Sequence, residues 1–553
     1  MDNNQATKFD NENMQERAAE GADERVDGVS RCEDSTDGRE DATDRREVSA
    51  EDREDVADQY ANAATPDVAR EEQDADVGTV EKIIGMVESA NLEFFRSPGT
   101  EGKAYCMLPD QLGGAVEIDS DRFRSWLRTM VYKVKGKRPK RSTVKLVVEH
   151  FVDEGLANAP EHTPVVRFAF REGVATLDIG DSTNRAIVVD KTGWRIVDKP
   201  EVEFIRNEGM RPMLIPVEGG CIDDWRETAN VAEDDWPIFV PAILAMFRAD
   251  APTPILQVCG EQGSAKSSLC EQIRALVDPN QAPLRGRPKS EWDIFVSARQ
   301  SRLMVYDNLS NISPEISDAL CRLATGGAFS TRVLRSNTGE LLINATRPVI
   351  INGITDLSRR GDLLSRIVTV NCPRIEEKTR RTKEDVDARF EELAPRILGA
   401  LLTAFAGTLE HLPHVNVEEL PRMADFARFG VAAEAATGMP KGSFLKGYAR
   451  NQSRLDDIAL EGEPVAMVLL DWHRRHGDWE GVSRKLLRAI EGAAKKAGVS
   501  RERGSWPASP FALTTLLRRI APNLRSKGIE VVIGGHTRDG VLININSTAT
   551  TVV

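Results

Sequence analysis

The spacing of apolar and polar positions changes several times along this chain, and each change marks a different kind of element. Residues 1–78 show no sustained apolar period. From 80 to 155 the period is mainly helical, with Phe123, Trp126, Leu127, Met130 and Val131 placed to line one face. Residues 164–205 alternate in four runs (165–171, 174–179, 186–189 and 194–197) punctuated by Gly173, Gly180 and Gly193, which predicts a small antiparallel sheet. A helix over 234–247 comes next. Residues 254–372 then alternate short apolar runs with helical stretches, the pattern of a parallel α/β sheet. Helical patterns return over 386–412, 423–437, 464–475 and 483–497. The end differs again: a helix over 510–520 precedes two alternating runs, 529–533 and 541–545, that read as a hairpin. Helices followed by a terminal hairpin predict a winged helix.

These changes divide the 553 residues into an acidic tail (1–78), an N-terminal α+β accessory domain (79–232), an α/β core (233–375), a helical lid or bundle (376–460) and a C-terminal winged-helix-like domain (461–553). Charge sharpens the division. The chain carries a formal net charge of −14, but the first 80 residues hold 25 acidic and 9 basic side chains, which leaves residues 81–553 at +2. Overall acidity is therefore no argument against a nucleic-acid partner. The tail, poor in aromatics, is expected to be disordered, either as a solvating segment or as an electrostatic mimic that competes with DNA for a basic groove. A secretory signal is not apparent, and the apolar runs fall short of the ~20 residues that span a bilayer, so a cytoplasmic protein without membrane contact is expected. Seven cysteines scattered singly predict reduced thiols rather than disulfides or zinc ligands.

The most specific chemistry lies in Gly260-Glu261-Gln262-Gly263-Ser264-Ala265-Lys266-Ser267, which follows the apolar run Ile255-Leu256-Gln257-Val258-Cys259 and precedes a helical pattern. A phosphate-binding loop needs this strand-loop-helix context: a glycine-rich turn whose N–H groups converge on phosphate oxygens, a lysine for the terminal phosphates, and a hydroxyl for Mg2+. Residues 260–268, Ser268 included, are the expected ATP-contacting set, with Lys266 on phosphate and Ser267 on the metal. Ala265 stands where the motif ordinarily has its last glycine. A methyl group is tolerable there if the chain is already entering the helix.

Nucleotide hydrolysis also needs a carboxylate at the end of a neighbouring buried strand. Leu303-Met304-Val305-Tyr306-Asp307 supplies one, and Asp307 is the second expected Mg2+ contact. The next residue is Asn308, where many such ATPases carry a water-polarising glutamate. The catalytic base is thus open among Glu261, Asp293 and Asp307. Pro348-Val349-Ile350-Ile351-Asn352 ends in an amide that either orients the γ-phosphate or lytic water, or merely begins a turn. Arg366 precedes a further apolar strand, where it is either a surface arginine or a cation that reaches the nucleotide held by a neighbouring subunit.

This order of elements resembles motifs A, B, B′ and C and the arginine finger of superfamily 3 helicases, a branch of AAA+ ATPases. It is most similar to the primase-helicase-like ATP-binding proteins of prophages and integrative mobile elements. Tyr306-Asp307-Asn308-Leu309-Ser310, residues 317–327 and residues 347–354 carry the resemblance together with the glycine-rich octapeptide. The resemblance implies an ATP-driven DNA helicase or translocase, acting as a hexameric homo-oligomeric ring in mobile-element replication. Lys266, Asp307, Asn352 and Arg366 would be its catalytic set. It also implies that the hairpin read over 329–345 enters a central pore, where Arg332 and Arg335 hold single-stranded DNA. On the terminal helix Arg518 and Arg519 are candidates for a duplex contact, although winged helices serve equally as protein-protein modules. Two rival functions stand beside the helicase: a regulatory ATP switch assembled on DNA without unwinding, and a non-hydrolysing DNA-binding adaptor.

Overall fold

A computed structural model describes residues 77–98, 102–109, 113–309, 312–332, 340–353, 361–499, 506–538 and 540–548. Residues 1–76 of the expected acidic tail, Cys32 among them, lie outside the described residues. All described residues belong to one unit, 71–553.

The chain begins with helix α1 (Val77–Ser89), strands β1 (Phe94–Arg96), β2 (Ala104–Met107) and β3 (Ala115–Glu117), and helices α2 (Asp121–Lys135) and α3 (Arg141–Asn158). The three strands form an antiparallel sheet that the helical period of this region did not predict. At three or four residues each, they are too short to display alternation. Ser120 caps α2 by accepting from the Phe123 amide at 3.3 Å, and Gly136 ends it at φ +64, a left-handed conformation that favours glycine. Phe123, Leu127 and Val131 are buried against Val144, Val147 and Phe151 of α3, with Trp126 and Met130 at the edge.

Strands β4 (Phe168–Arg171), β5 (Val174–Asp178), β6 (Ala186–Asp190) and β7 (Gly193–Val197) form the expected antiparallel sheet in sequential order. Helix α4 (Trp236–Ala245) leads to β8 (Ile255–Cys259), α5 (Lys266–Val277), α6 (Glu291–Ala298), β9 (Met304–Tyr306) and α7 (Pro314–Thr325). The hairpin β10 (Ala328–Arg332) and β11 (Glu340–Asn344) precedes β12 (Val349–Asn352), α8 (Gly361–Leu364) and β13 (Ile367–Asn371).

The parallel sheet has the order β13-β8-β12-β9, so β12 lies between β8 and β9. Ile367 and Ile350 flank the start of β8, opposite Ile255 and Leu256, and Val349 stands opposite Met304. Arg285 adds a parallel bridge to Tyr306 beyond β9. Every residue of β8, β9 and β12 is buried, as expected for parallel strands covered on both faces.

Helices α9 (Lys383–His411), α10 (Ala424–Thr437) and α11 (Ser443–Glu461) follow. The pattern reading missed α11, whose start has no Ser, Thr, Asp or Asn cap; it opens from Gly442 at φ +85. By length and composition α9 alone, among the described residues, could cross a membrane, which revises the expectation that no segment approaches that length. Its Ile397, Leu401 and Phe405 instead enter a core shared with Leu177 and Val189 of the antiparallel sheet, Phe239 of α4, and Leu256 and Val258 of β8. The last elements are α12 (Pro464–His476), β14 (Trp479–Val482), α13 (Ser483–Ala497), α14 (Pro510–Ser526), β15 (Ile529–Thr537) and β16 (Gly540–Ser547). β14 pairs with β16, so the terminal hairpin becomes a three-stranded sheet.

A buried ionic network fastens the antiparallel sheet to the end of α5. Arg167 is fully buried, and its Nε donates to Asp278 Oδ1 at 2.9 Å. Arg206 grips Asp178 with two hydrogen bonds of 2.8 and 2.6 Å. The second Asp278 oxygen accepts the amides of Arg302 and Leu303 at 2.9 and 3.0 Å. Burial alone would raise the Asp278 carboxyl, but Arg274, Arg167 and these amides outweigh it and hold the carboxyl below its ordinary range.

Candidate active site

The segment after β8 is shaped by backbone conformations that few residues accept. Gly260 lies at φ +153, and a Cβ there would stand 2.4 Å from the Cys372 carbonyl oxygen and 2.6 Å from Ser264 Oγ. Only glycine fits. Gly263 is left-handed at φ +79, and so is Ala265, at φ +61 and ψ +26. The condition under which a methyl group is readily tolerated is therefore not met: α5 begins one residue later, at Lys266. A left-handed alanine is strained by roughly 1–2 kcal/mol, so the missing glycine has a physical consequence. The first turn of α5 has no side-chain cap, which leaves its amides available to an anion.

Around this loop the Glu261 carbonyl accepts from Lys266 Nζ at 2.6 Å and from Ser264 Oγ at 2.9 Å. Glu261, Gln262 and Ser267 are exposed, and Ser268 is half-buried. Asn230 braces the turn from outside, donating to the Ser264 and Pro373 carbonyls at 2.9 and 2.7 Å. Beneath it, burial pushes the Cys259 thiol up to about 11 and the Cys372 thiol up to about 12, so both serve as neutral packing groups.

Three predicted residues converge at the carboxyl ends of the strands, where open α/β sheets ordinarily bind ligands. Asp307 Oδ1 accepts from Ser267 Oγ at 3.0 Å and from Asn352 Nδ2 at 2.5 Å, and Asn352 Nδ2 also lies 3.3 Å from Ser267 Oγ. Because β12 separates β8 from β9, Asn352 stands between the loop and the carboxylate. Ser267 and Asp307 offer Mg2+ the hard oxygen donors it prefers. Clusters of three or more His, Cys, Asp or Glu suited to a metal are absent among the described residues, so the donor set is one hydroxyl and one carboxylate.

Asn308 also acquires a structural reason. It lies at φ +52, a left-handed position where asparagine is enriched, and the turn lets the Leu309 amide donate to the Asn352 carbonyl at 2.9 Å. A glutamate would be strained there. Asp293, another candidate base, has its carboxylate engaged by the amides of Lys289 and Ser290 at 3.0 and 3.1 Å, capping α6.

Arg366 stands elsewhere. Its carbonyl accepts from the Ile255 amide at the start of β8, whereas the glycine-rich loop follows the end of that strand. β8 is five residues long, so roughly 16 Å separates the two edges. The Arg366 guanidinium lies 2.7 Å from Asp362 Oδ1, which also takes Arg422. Burial raises the Asp362 carboxyl, but hydrogen bonds from the two arginines outweigh it and hold it below its usual range.

The candidate DNA contacts are less assembled. Arg332 pairs in register with Glu340 in the hairpin, and Arg335 lies outside the described residues. Arg518 is exposed on α14, but Arg519 is bound to Glu463, while Arg525 and Lys527 meet Glu530 and Asp457 at 3.3 and 2.6 Å.

The sequence reading missed Asn230 and Arg380. Arg380 Nη2 lies 3.9 Å from where a Cβ on Gly263 would stand. The basic run Arg374, Lys378, Arg380, Arg381 and Lys383 was a visible signal for it. For Asn230, a lone amide 30 residues before the loop, there was none.

Residues 224–459 match the family described as actinomycete integrative conjugative element replication protein, and residues 465–551 match the AICE RepA C-terminal domain. Together the two matches span more than half of the chain. Among solved structures, the apo C-terminal region of NrS-1 is 12% identical, with 84% of this chain and 98% of that one covered at a TM-score of 0.35. SCCmec type IV Cch, described as an active helicase, is 7% identical, with 83% and 93% covered at a TM-score of 0.43. No curated protein matches the chain.

Proposed function

We propose that this chain, which belongs to the replication-protein family of actinomycete integrative conjugative elements, is an ATP-hydrolysing DNA translocase of the superfamily 3 type. The observation that carries this reading is the convergence of Ser267, Asp307 and Asn352 beside a loop of left-handed residues. The loop amides and Lys266 hold the ATP phosphates, and Arg380 approaches them from the same chain. Mg2+, when bound, neutralises charge between the phosphates. Ser267 and Asp307 would hold it, and Asn352 fixes the Asp307 carboxylate. Glu261 and Asp307 are the bases left to activate water, since Asp293 caps a helix.

Arg366 serves a neighbouring subunit. Its place at the opposite edge of the sheet from its own loop supports a shared site in a hexameric ring, and Asp362 orients it until the neighbour's phosphate competes. Residues 233–375 form the ATPase core, 376–460 its lid, and 79–232 an accessory domain. Arg332 and Arg335 on the hairpin hold single-stranded DNA in the pore. Residues 461–553 act as a winged helix, whose duplex contact rests on Arg518 with Arg519 tied to Glu463.

The left-handed Asn308 favours a second reading, a slow regulatory ATP switch without strand separation. Replacing Lys266 by Ala removes turnover under the main proposal, and unchanged phosphate release by that variant would discard it. Stimulation of ATPase activity by single-stranded DNA together with unwinding of a forked duplex selects the translocase. Turnover without unwinding selects the switch.

A further inference from the structure

A second basic site lies away from the loop. Between the β1–β3 sheet on one side and β4, the end of α6 and residues 345–347 on the other runs a cleft of about 1180 Å³. That exceeds the ~300–1,000 Å³ of ordinary small-molecule pockets and suits a segment of a polymer. Its charge is one-sided. Lys103 is matched by Glu117 at 2.6 Å and Arg206 by Asp178, which leaves Arg171, Arg299, Arg302 and Arg347 against the carboxylate of Glu208 among the described lining residues.

One of these arginines is buried and a second is half-buried. Arg302 is 2% exposed; its terminal nitrogens donate to the Thr346 and Arg248 carbonyls, and its buried Nε has no hydrogen-bond partner among the described residues. Arg347 donates to the Ala298 and Ser301 carbonyls at 2.9 and 3.0 Å. Burial pulls Arg302 down to about 9, with Arg347 adding to it, and Arg347 down to about 10, although Asp278 acts on both in the opposite direction. Arg171 and Arg299 are exposed, and among the described residues the Arg171 side chain donates only to the Thr163 carbonyl, at 3.4 Å. Arg299 acts across the cleft on Tyr105, where burial dominates, Glu117 adds to it, and the hydroxyl is pushed up to about 12 despite the opposing arginine.

We infer that this cleft binds the phosphate backbone of a single nucleic-acid strand, with Arg171 and Arg299 as its accessible phosphate contacts. Carbonyl-anchored arginines at fixed positions suit repeated phosphates. A walled cleft of this volume accepts a few nucleotides rather than a duplex. The inference rests on the nucleic-acid role proposed above, but not on the hairpin, because its two contacts are Arg171 at the end of β4 and Arg299 just after α6.

The test is fluorescence anisotropy of a labelled oligothymidine of about 20 nucleotides, titrated with the full chain over a range of salt. Arg171→Ala combined with Arg299→Ala should weaken binding roughly tenfold and flatten the log-log salt slope by about 1.4, two contacts at about 0.7 each. Arg171→Lys with Arg299→Lys should restore most of the slope, because the charge is what matters. An unchanged slope in the alanine pair overturns the site, and a lysine pair as weak as the alanine pair overturns the phosphate assignment. A larger loss for a blunt duplex than for the single strand overturns the choice of ligand. Lys266→Ala keeps this binding while losing turnover, so failure of the cleft and failure of the ATPase reading are told apart.

Discussion

Asn352 Nδ2 sits 2.5 Å from Asp307 Oδ1, and that same oxygen accepts the Ser267 hydroxyl. One buried amide, 2% exposed, thereby holds the carboxylate in register with the loop. Asn352→Ala should lower kcat about 100-fold, as expected for losing one preorganised polar contact, with nucleotide affinity little changed. Asn352→Asp should be no better, because a second carboxylate would lie against Asp307. Steady-state phosphate release and binding of a fluorescent ATP analogue separate the two effects. Near-normal turnover in both variants would remove Asn352 from the site.

Ala265 is a native strain. At φ +61 its Cβ disfavours the conformation that the loop requires, so Ala265→Gly should stabilise the protein by about 1 kcal/mol despite glycine's larger unfolded-state entropy. The unfolding midpoint should rise by about 1 °C. A lower midpoint in a thermal scan would mean that the neighbouring turn already absorbs the strain.

Arg366 and Asp362 form a pair at the wrong end of the sheet for catalysis within one chain. Arg366→Ala should therefore bind ATP normally but hydrolyse it about 1,000-fold more slowly. Mixing it with Lys266→Ala should restore part of the turnover, since a Lys266→Ala subunit can supply its arginine to the intact loop of an Arg366→Ala neighbour. Absence of any recovery in mixed assemblies argues against sharing. Asp362 adds a pH signature. Its folded carboxyl titrates below its unfolded value, so the pair stabilises the fold above about pH 4 and that contribution fades as pH falls through the lower folded value. Replacing Asp362 by Asn should flatten the acid limb of a stability-pH curve, and an identical limb would show the pair to be energetically silent.

Arg380 is the cation nearest the glycine-rich turn that pattern reading did not single out. Arg380→Ala should weaken ATP affinity about tenfold, the scale of one charge-assisted hydrogen bond, and Arg380→Lys should recover part of it. Equal affinities across the three proteins, measured by equilibrium titration, would assign Arg380 to the solvated surface.

What the sequence determined by itself is local. The glycine-rich octapeptide, β8, and the strands ending at Asp307 and Asn352 were legible because buried parallel strands are short continuous apolar runs and because a tight phosphate loop admits few residue types. The helix Ser483–Ala497 and the β4–β7 sheet were legible because their apolar spacing repeats often enough to identify a period. The β1–β3 sheet was hidden because three-residue strands have no period to read. Tertiary structure decided the rest, because backbone conformation and long-range partners are not encoded in spacing. It set Ala265 and Asn308 in the left-handed region, placed β12 between β8 and β9, and committed Asp293 to a helix cap. It also tied Arg519 to Glu463, 56 residues away, and brought Arg171, Arg299 and Arg347 from three separate segments to the walls of one cleft.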